Sequence, residues 1–461
     1  MFYENRDFAQ SRIVDRQIKY GPYNLRNFKS IPQIHNLSNE QLFEIEVVGN
    51  VLPFKANNYV VEQLIDWDNV PDDPMFILTF PQKDMLKSKH FNMMAEALKR
   101  EAPKKEIISL GNMIRMELNP NPAGQADYNV PVLKGRQLQG MQHKYKETVL
   151  FFPSQGQTCH AYCTFCFRWP QLSHMDNLKF SSNDIEPVIK YIKSHEEVSD
   201  LLITGGDPMI MSGKIFSNYI NHLLYADILH LQTIRIGSKA LAYWPHKFVT
   251  DKDSDLILKS FEKVVKSGRQ LAFMAHFNHH KELKTDIVKK AIGRILNTGA
   301  TIRTQSPIFR HINDDSSVWK RMWTEQVRLG CIPYYMFIPR ETGAQDYFKV
   351  SLTEAWDIFR NAYMHIGGNA RTVRGPVMSC GPGKVQVLGV NKINNEEVMI
   401  LRFIQGRNPE WVHLPFFAEK NDKAYWMNDL KPAFGDKKFF FEDELEDIYE
   451  SKSSMLARVE D

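Results

Sequence analysis

The chain is long enough for a large α/β domain with additions, and its charges nearly cancel. It has 461 residues, with 58 Lys and Arg against 54 Asp and Glu, so total charge predicts neither nucleic acid nor another polyanion as a partner. No stretch approaches the roughly 18 apolar residues that span a bilayer, and the first residues lack an apolar signal core. We therefore expect a cytoplasmic protein with no nucleic acid or membrane partner.

Residues 1–125 predict a mainly helical N-terminal extension. Three stretches have apolar residues at spacings of three and four: 37–54, 57–65 and 94–102. Ser38 followed by Gln41 is typical of a capping box at the start of the first helix. The Asn- and Pro-rich run 119–124 then ends the pattern, which predicts a boundary there.

Residues 126–345 alternate short apolar runs with amphipathic stretches, as parallel strands joined by helices do. Six runs are predicted strands: 149–152, 201–204, 233–236, 271–275, 301–304 and 333–338. Helix-period stretches between them lie at 185–198, 254–268, 287–299 and 317–330. The alternation predicts an α/β fold with right-handed crossovers, and six units fit a partial (β/α)6 barrel better than a closed eight-unit barrel.

The remaining sequence divides into two parts. Residues 346–410 are predicted to close the barrel and include an apolar run at 398–403, which predicts one more strand. Residues 411–461 form an aromatic tail with an acidic run at 442–444. We expect this tail to be solvated surface or a subunit contact, with no part in the chemistry.

Three of the five cysteines lie within eight residues, Cys159, Cys163 and Cys166, just after the first predicted strand. Three thiolates at this CxxxCxxC spacing can ligate three irons of a [4Fe–4S] cluster and leave the fourth iron open to a small molecule. Zinc is the alternative, but structural zinc sites favour four ligands in CxxC-type pairs. Neither Cys331 nor Cys380 lies in such a pair.

Functional groups of parallel sheets collect just past the carboxyl ends of the strands. Gly205-Gly206-Asp207 follows the second predicted strand, His276 the fourth and Gln305 the fifth. The cysteine segment follows the first. These residues are therefore expected to lie at one edge of the sheet.

In combination, these motifs resemble the radical S-adenosylmethionine (SAM) enzymes, and among them the lysine 2,3-aminomutase family. The resemblance covers about residues 60–406. Besides the cysteines it includes His143-Lys144-Tyr145, Cys166-Phe167-Arg168, Gly205-Gly206-Asp207, Arg235–Ser238, His276–His279, Gln305-Ser306 with Asn313-Asp314, Pro333-Tyr334-Tyr335 and Gly381–Lys384.

The resemblance implies that SAM chelates the open iron and is cleaved to a 5'-deoxyadenosyl radical. It assigns cofactor binding to Gly205, Gly206 and Asp207, with the Asp207 carboxylate expected to meet the SAM amine. His276 and Gln305 are also expected to bind cofactor. A small amino acid substrate, a one-electron reductant such as flavodoxin or ferredoxin, and a homo-oligomer are further expectations.

The family also carries pyridoxal 5'-phosphate (PLP) on a lysine after a glycine-rich turn. Lys384 matches that catalytic position, and an ordinary surface lysine is the alternative. Tyr145 and Lys144 match residues that hold PLP, whereas Thr148 lies where a second arginine is expected. This departure leaves two alternatives: the PLP phosphate is held differently, or the enzyme does not use PLP.

The substrate positions also depart from the family pattern. Arg168 matches the arginine that binds the substrate α-carboxylate, a task that suits a planar guanidinium. Lysine-specific members hold the remote ammonium with two aspartates, whose positions align with Arg340 and near Ser379. Because a cation opposed by a cation is costly in a low-dielectric pocket, we expect lysine to be a poor substrate and an acidic or polar side chain to be favoured.

Two enzymatic functions follow from this resemblance. The first is an aminomutase that moves the amino group of an α-amino acid from C2 to C3 with SAM and PLP. The second keeps the radical chemistry but ends in dehydration, deamination or dehydrogenation of an amino acid or peptide, without a requirement for PLP. A protein-modifying enzyme or interaction module is a third class; a non-catalytic scaffold ranks last, because it would not need the cysteines, the Gly205 segment and Lys384 together.

Overall fold

The computed structural model describes residues 18–173, 175 and 178–460, with side chains as far as Ser454. Its α-helices are α1 (Asn39–Gly49), α2 (Pro74–Thr79), α3 (Ser88–Lys99), α4 (Lys104–Glu117), α5 (Gln125–Tyr128), α6 (Trp169–Leu172), α7 (Glu186–Lys193), α8 (Gly213–Tyr225), α9 (Ala240–Tyr243), α10 (Ser254–Lys266), α11 (Asp286–Leu296), α12 (Ser316–Arg328), α13 (Gln345–Phe348), α14 (Leu352–Met364) and α15 (Glu442–Glu460). Its strands are β1 (Pro22–Tyr23), β2 (Ala56–Asn57), β3 (Val132–Leu133), β4 (Arg136–Gln137), β5 (Met141–Tyr145), β6 (Thr148–Phe151), β7 (Asp200–Ile203), β8 (Thr233–Ser238), β9 (Gln270–His276), β10 (Thr301–Pro307), β11 (Ile332–Phe337), β12 (Arg374–Ser379), β13 (Gly383–Ile393), β14 (Glu396–Gly406) and β15 (Pro415–Glu419).

One mixed sheet of eleven strands organises the described chain, and its order follows the chain from β5 to β15. Neighbouring strands from β6 to β12 are parallel. β5 pairs antiparallel with β6 at one edge, and β13 to β15 continue the other edge as antiparallel strands. The predicted α/β class is confirmed.

All six predicted strands are present as β6 to β11, and the predicted run at 398–403 lies in β14. The sheet adds a seventh parallel strand that the sequence did not predict, β12, with Val377 opposite Phe337 of β11. Its sequence, Arg-Gly-Pro-Val-Met-Ser, contains Gly and Pro near the start, and both residues weaken a strand signal.

Helices cross between successive parallel strands and bury one apolar face each. In α11 the buried positions are Val288, Ala291, Ile292 and Ile295, the spacing of a single helix face. In the middle of the parallel strands, Leu271–Ala275 of β9 are all buried, as is usual inside a parallel sheet, whereas β8 and β10 alternate buried and half-buried residues. This packing fixes the strand ends where the candidate site lies.

The N-terminal part packs against the cysteine segment. Its first α-helix begins with the predicted capping box, in which the Ser38 hydroxyl accepts from the Gln41 N–H at 3.2 Å and the Gln41 side chain accepts from the Ser38 N–H at 2.8 Å. The backbone of Tyr162 donates to the Lys55 carbonyl at 2.7 Å. The extension is therefore part of the site's framework.

The C-terminal helix α15 lies back on the sheet domain. The Tyr449 ring stacks on Tyr128 with ring centres 4.0 Å apart, and Glu444 accepts from the Trp411 indole at 2.8 Å. The prediction of a tail that is only solvated surface or a subunit contact therefore missed an intramolecular interface. Among the described helices, none is both long and apolar enough to cross a membrane.

Candidate active site

The cysteine segment lies beside the end of β7. The Asp207 backbone N–H donates to the carbonyls of Gly156 and Thr158 at 3.0 and 2.8 Å, which ties the residues before Cys159 to the strand end. A Cβ on Gly205 would lie 2.7 Å from the Gly156 carbonyl oxygen, and one on Gly206 would lie 2.7 Å from that of Thr158. Glycine is required at both positions because the two backbones approach so closely.

Cys159, Cys163 and Cys166 are half-buried free thiols. Burial raises the pKa of all three, that of Cys163 to about 12, and the Asp207 carboxylate, followed by the other two cysteines, raises the pKa of Cys159 further. Among described residues, no three His, Cys, Asp or Glu side chains converge as for one metal ion. A four-iron cluster takes one thiolate per iron, so three thiols spaced along one loop fit such a cluster.

Residues of the N-terminal extension hold the cysteine loop by its carbonyls. Lys55 Nζ donates to the Cys159 carbonyl at 2.7 Å. Tyr20 and Asn57 donate to the His160 carbonyl at 2.6 and 3.1 Å. Sequence reasoning missed these residues, since they lie more than 100 positions before the loop and form no local motif with it.

Asp207 makes hydrogen bonds within the protein that the sequence did not predict. Its carboxylate is buried and accepts hydrogen bonds from the Met209 N–H (2.9 Å), the Ser238 hydroxyl (2.8 Å) and the Lys239 N–H (2.9 Å). Burial raises the pKa of Asp207 to about 6, although these hydrogen bonds oppose the shift. The carboxylate therefore joins the end of β7 to the end of β8, and its expected contact with the SAM amine stays a prediction.

His276 and Gln305 are neighbours across adjacent strand ends of β9 and β10. The His276 ring lies 5.8 Å from the ring of Phe165 in the cysteine loop. Its Nε2 is buried with no partner among described residues, and burial keeps its pKa well below the usual range. A neutral imidazole with a free nitrogen beside the cysteine loop fits a polar ligand such as SAM.

Behind these residues lies a buried support for the strand ends. Lys239 Nζ pairs with Glu282 at 2.7 Å and donates to the Asn278 side chain at 2.8 Å. The neighbouring Tyr243 hydroxyl donates to Cys163 Sγ at 3.4 Å. The network connects the third and fourth predicted strand ends to the cysteine loop.

Lys384 lies on β13 opposite Ser379 of β12. Its Nζ donates to the Gln405 side chain at 2.5 Å and lies 5.1 and 5.2 Å from the ring centres of Tyr145 and Tyr335. Burial, followed by nearby arginines, lowers the pKa of Lys384 to about 7. A substantial fraction of this amine is therefore neutral and nucleophilic near neutral pH.

Lys144 and Tyr145 lie beside Lys384. Lys144 donates to the Cys380 carbonyl, and burial, then Arg407, keeps its pKa well below the usual range. The Tyr145 hydroxyl is buried and has no partner among described residues. Aromatic rings, a nucleophilic lysine and an excess of cations fit an aromatic aldehyde that carries a phosphate, as PLP does.

Arg168, Arg340 and Ser379 come together near the cysteine loop. The guanidinium carbons of Arg168 and Arg340 lie 5.2 and 4.6 Å from the centre of the Phe167 ring. Arg340 Nη2 donates to Ser379 Oγ at 3.2 Å. Burial, and then Arg340, lowers the pKa of Arg168 to about 10. The described part of the chain pairs neither guanidinium with a carboxylate, so the pair can receive anions.

Comparison with known proteins shows which proteins the chain resembles in sequence. No family model matches the chain. It is 29% identical over 397 residues to a protein of Aquifex aeolicus provisionally named L-lysine 2,3-aminomutase, covering 86% of this chain and 92% of the relative. The L-lysine 2,3-aminomutase of Methanococcus maripaludis is 24% identical over 346 residues, covering 75% of this chain and 68% of the relative.

The chain is a diverged relative of the lysine 2,3-aminomutases. These similarities support an enzyme that resembles the radical SAM aminomutases. A relative with another substrate in its name is the glutamate 2,3-aminomutase of Clostridioides difficile, 26% identical over 212 residues, with 46% of this chain and 47% of the relative covered.

Proposed function

We propose that the chain is a 2,3-aminomutase for an acidic α-amino acid such as glutamate, dependent on a [4Fe–4S] cluster, SAM and PLP. The observation that carries the proposal is the pair Arg168 and Arg340 around Phe167, both without a described carboxylate partner. One guanidinium would bind the α-carboxylate and the other the side-chain carboxylate. A dicarboxylate thus satisfies both cations.

The same geometry disfavours lysine. A lysine bound through its α-carboxylate at Arg168 would bring its ammonium toward Arg340. Two like charges about 4 Å apart repel by about 4 kcal/mol at an effective dielectric constant of about 20, or about 1000-fold in binding. The relative that is named as a glutamate enzyme is consistent with this choice of substrate.

Each part of the candidate site has a task in this proposal. Cys159, Cys163 and Cys166 would hold the cluster, and the backbone of Gly205-Gly206-Asp207 with His276 and Gln305 would line the SAM side. Bound SAM with the reduced cluster would supply the 5'-deoxyadenosyl radical, and PLP on Lys384 would supply a conjugated ring. Because Lys384 has a pKa of about 7, this side chain is ready to react with an aldehyde.

The proposed architecture follows from the order of the sheet. We assign the helical extension to residues 1–125, a partial radical SAM barrel to 126–345, the segment that carries Lys384 to 346–410, and the tail to 411–461. The uninterrupted parallel order of β6 to β11 supports the barrel. In this arrangement the substrate would lie between the cysteine loop and the β12–β13 turn.

Product analysis tests the proposal. The cluster-loaded protein is incubated without oxygen with SAM, PLP, a one-electron reductant and an equimolar mixture of the twenty amino acids, and β-amino acids are sought by mass spectrometry. We expect the β-isomer of an acidic amino acid, absent from Cys163→Ala and Lys384→Ala variants. An unsaturated or deaminated product, also formed by Lys384→Ala, would replace the proposal with the elimination chemistry.

A further inference from the structure

We propose that Arg407 and Lys452, with Lys144, form the binding site for the PLP phosphate, so that the C-terminal helix α15 completes the cofactor site. The inference rests on the proposed use of PLP and identifies the residues of this chain that bind its phosphate. It concerns the feature that the sequence left open, the loss of the second arginine at Thr148.

Thr148 is committed to another contact. Its hydroxyl donates to Asp200 at 3.1 Å, and Asp200 forms an ion pair with Arg235 at 2.6 Å. Residue 148 is thus joined to an acidic side chain at the start of the parallel strands. Thr148 itself carries no charge, so the positive charge that the second arginine would supply must come from another residue.

Arg407 lies against the turn before Lys384. Its Nε donates to the Gly381 carbonyl at 2.9 Å, and its backbone N–H donates to the Pro382 carbonyl at 2.9 Å. A second guanidinium nitrogen donates to the Asn129 side chain at 2.7 Å. Arg407 is therefore held in place by neutral acceptors while its positive charge remains unbalanced.

α15 adds a second cation and an aromatic wall. Lys452 Nζ donates to the Tyr128 carbonyl at 2.7 Å, and burial, then Arg407, lowers its pKa to about 8. The Arg407 guanidinium lies 5.2 Å from the Tyr449 ring centre. A Cβ on Gly381 would lie 2.7 Å from the Tyr449 hydroxyl, so the helix touches the turn itself.

Lys144 connects this pair to Lys384, because Arg407 and Lys384 both lie close enough to lower its pKa. Within the described chain, none of Lys144, Arg407 and Lys452 forms an ion pair with a carboxylate. The acceptors of their hydrogen bonds are neutral: carbonyls, an amide and, for Arg407, the Tyr449 hydroxyl. An ammonium has three N–H donors, and each lysine uses one. A phosphate dianion would balance these charges and accept the remaining donors.

Comparing PLP with pyridoxal isolates the phosphate. Pyridoxal has the same ring and aldehyde but no phosphate, so the ratio of the two dissociation constants measures how much the phosphate contributes to binding. Cluster-loaded, PLP-free protein is titrated with each compound by visible absorbance, and inorganic phosphate is used as a competitor. The variants are Arg407→Gln and Lys452→Gln; Lys438→Gln, an exposed lysine paired with Asp443, is the control.

We expect each variant to weaken PLP binding by about tenfold, which corresponds to the loss of one charge-assisted hydrogen bond. Pyridoxal binding, and the absorbance spectra recorded without inorganic phosphate, should stay as in the wild type. Lys438→Gln should keep the wild-type ratio. A wild-type ratio in both Arg407→Gln and Lys452→Gln, or equal losses for PLP and pyridoxal, would overturn the inference. If the wild type binds PLP with no adduct at Lys384, the proposed function loses its PLP step while the phosphate ratio still decides the site.

Discussion

Arg340 donates a hydrogen bond to Ser379, with 3.2 Å between Nη2 and Oγ. The two residues are 39 positions apart in sequence. Arg340 follows the end of β11, and Ser379 is the last residue of the neighbouring strand β12. The resemblance to the lysine 2,3-aminomutases places one of the two aspartates of lysine-specific members at Arg340 and the other near Ser379. The contact supports treating the two positions as one substrate-recognition unit, with a cation where lysine enzymes have anions.

Reversing that charge should change substrate preference. In Arg340→Asp, we expect kcat/KM for glutamate to fall by about 100-fold or more, since a charge-assisted contact is replaced by repulsion. Arg340→Lys keeps the charge but loses the planar fork, so its loss should be smaller. Steady-state assays of β-isomer formation measure both. Equal losses in the two variants would show that charge is not what Arg340 contributes.

Lys384 should react with an aldehyde in its neutral form. Its pKa of about 7 means that adduct formation with PLP should rise with pH and reach half its maximum near pH 7, whereas an ordinary lysine would do so near about 10.4. Borohydride trapping at a series of pH values, with peptide mass spectrometry at Lys384, gives the profile. A midpoint near that of ordinary lysine would contradict the buried, cation-rich environment.

The lowered pKa of Lys384 also makes the free energy of unfolding depend on pH. The folded state disfavours the charged form, so the folded protein binds fewer protons at this site than the unfolded chain between about pH 7 and the ordinary lysine pKa. The contribution of Lys384 to stability is therefore lost as pH falls through that window. Lys384→Met should flatten this part of the pH dependence of the free energy of unfolding.

Asp207 should act as a positioning residue. Asp207→Asn replaces one acceptor oxygen by a donor and leaves the buried backbone N–H of Met209 or of Lys239 without its acceptor, at a cost of about 1 to 3 kcal/mol. We expect a lower melting temperature and a lower iron content. If the variant keeps both and only SAM affinity falls, the carboxylate contacts SAM directly, as the resemblance implies.

The N-terminal extension should protect the cluster. Lys55→Met removes the donor to the Cys159 carbonyl, and Asn57→Ala removes the donor to the His160 carbonyl. Each should speed loss of the visible iron–sulfur absorbance in the presence of an iron chelator. Lys89→Met, on the exposed side of α3, serves as the control and should leave the rate unchanged.

Local patterns predicted the parts of the fold that depend on neighbours in sequence. The capping box at Ser38, the strands of the parallel sheet and the spacing of Cys159 to Cys166 belong to this group. The hydrogen bonds from Lys55 to the Cys159 carbonyl and from Lys452 to the Tyr128 carbonyl join residues that are 104 and 324 positions apart. No periodicity carries such information, because these contacts arise only when separate elements pack together.

The Asp207 expectation shows a different limit. Sequence reasoning correctly placed a carboxylate at a strand end, where ligands collect. It could not tell that two backbone N–H groups and the Ser238 hydroxyl already occupy the oxygens, because those donors come from two different turns. The type of residue was informative, whereas its partners required the structure.

The most direct test of substrate choice is the ratio of kcat/KM for glutamate to that for lysine, measured as formation of the corresponding β-amino acid by the cluster-loaded wild type. The Arg168 and Arg340 pair predicts a ratio of about 100 or more in favour of glutamate. A ratio below one would contradict the account, because it would mean that a cationic side chain is preferred beside Arg340.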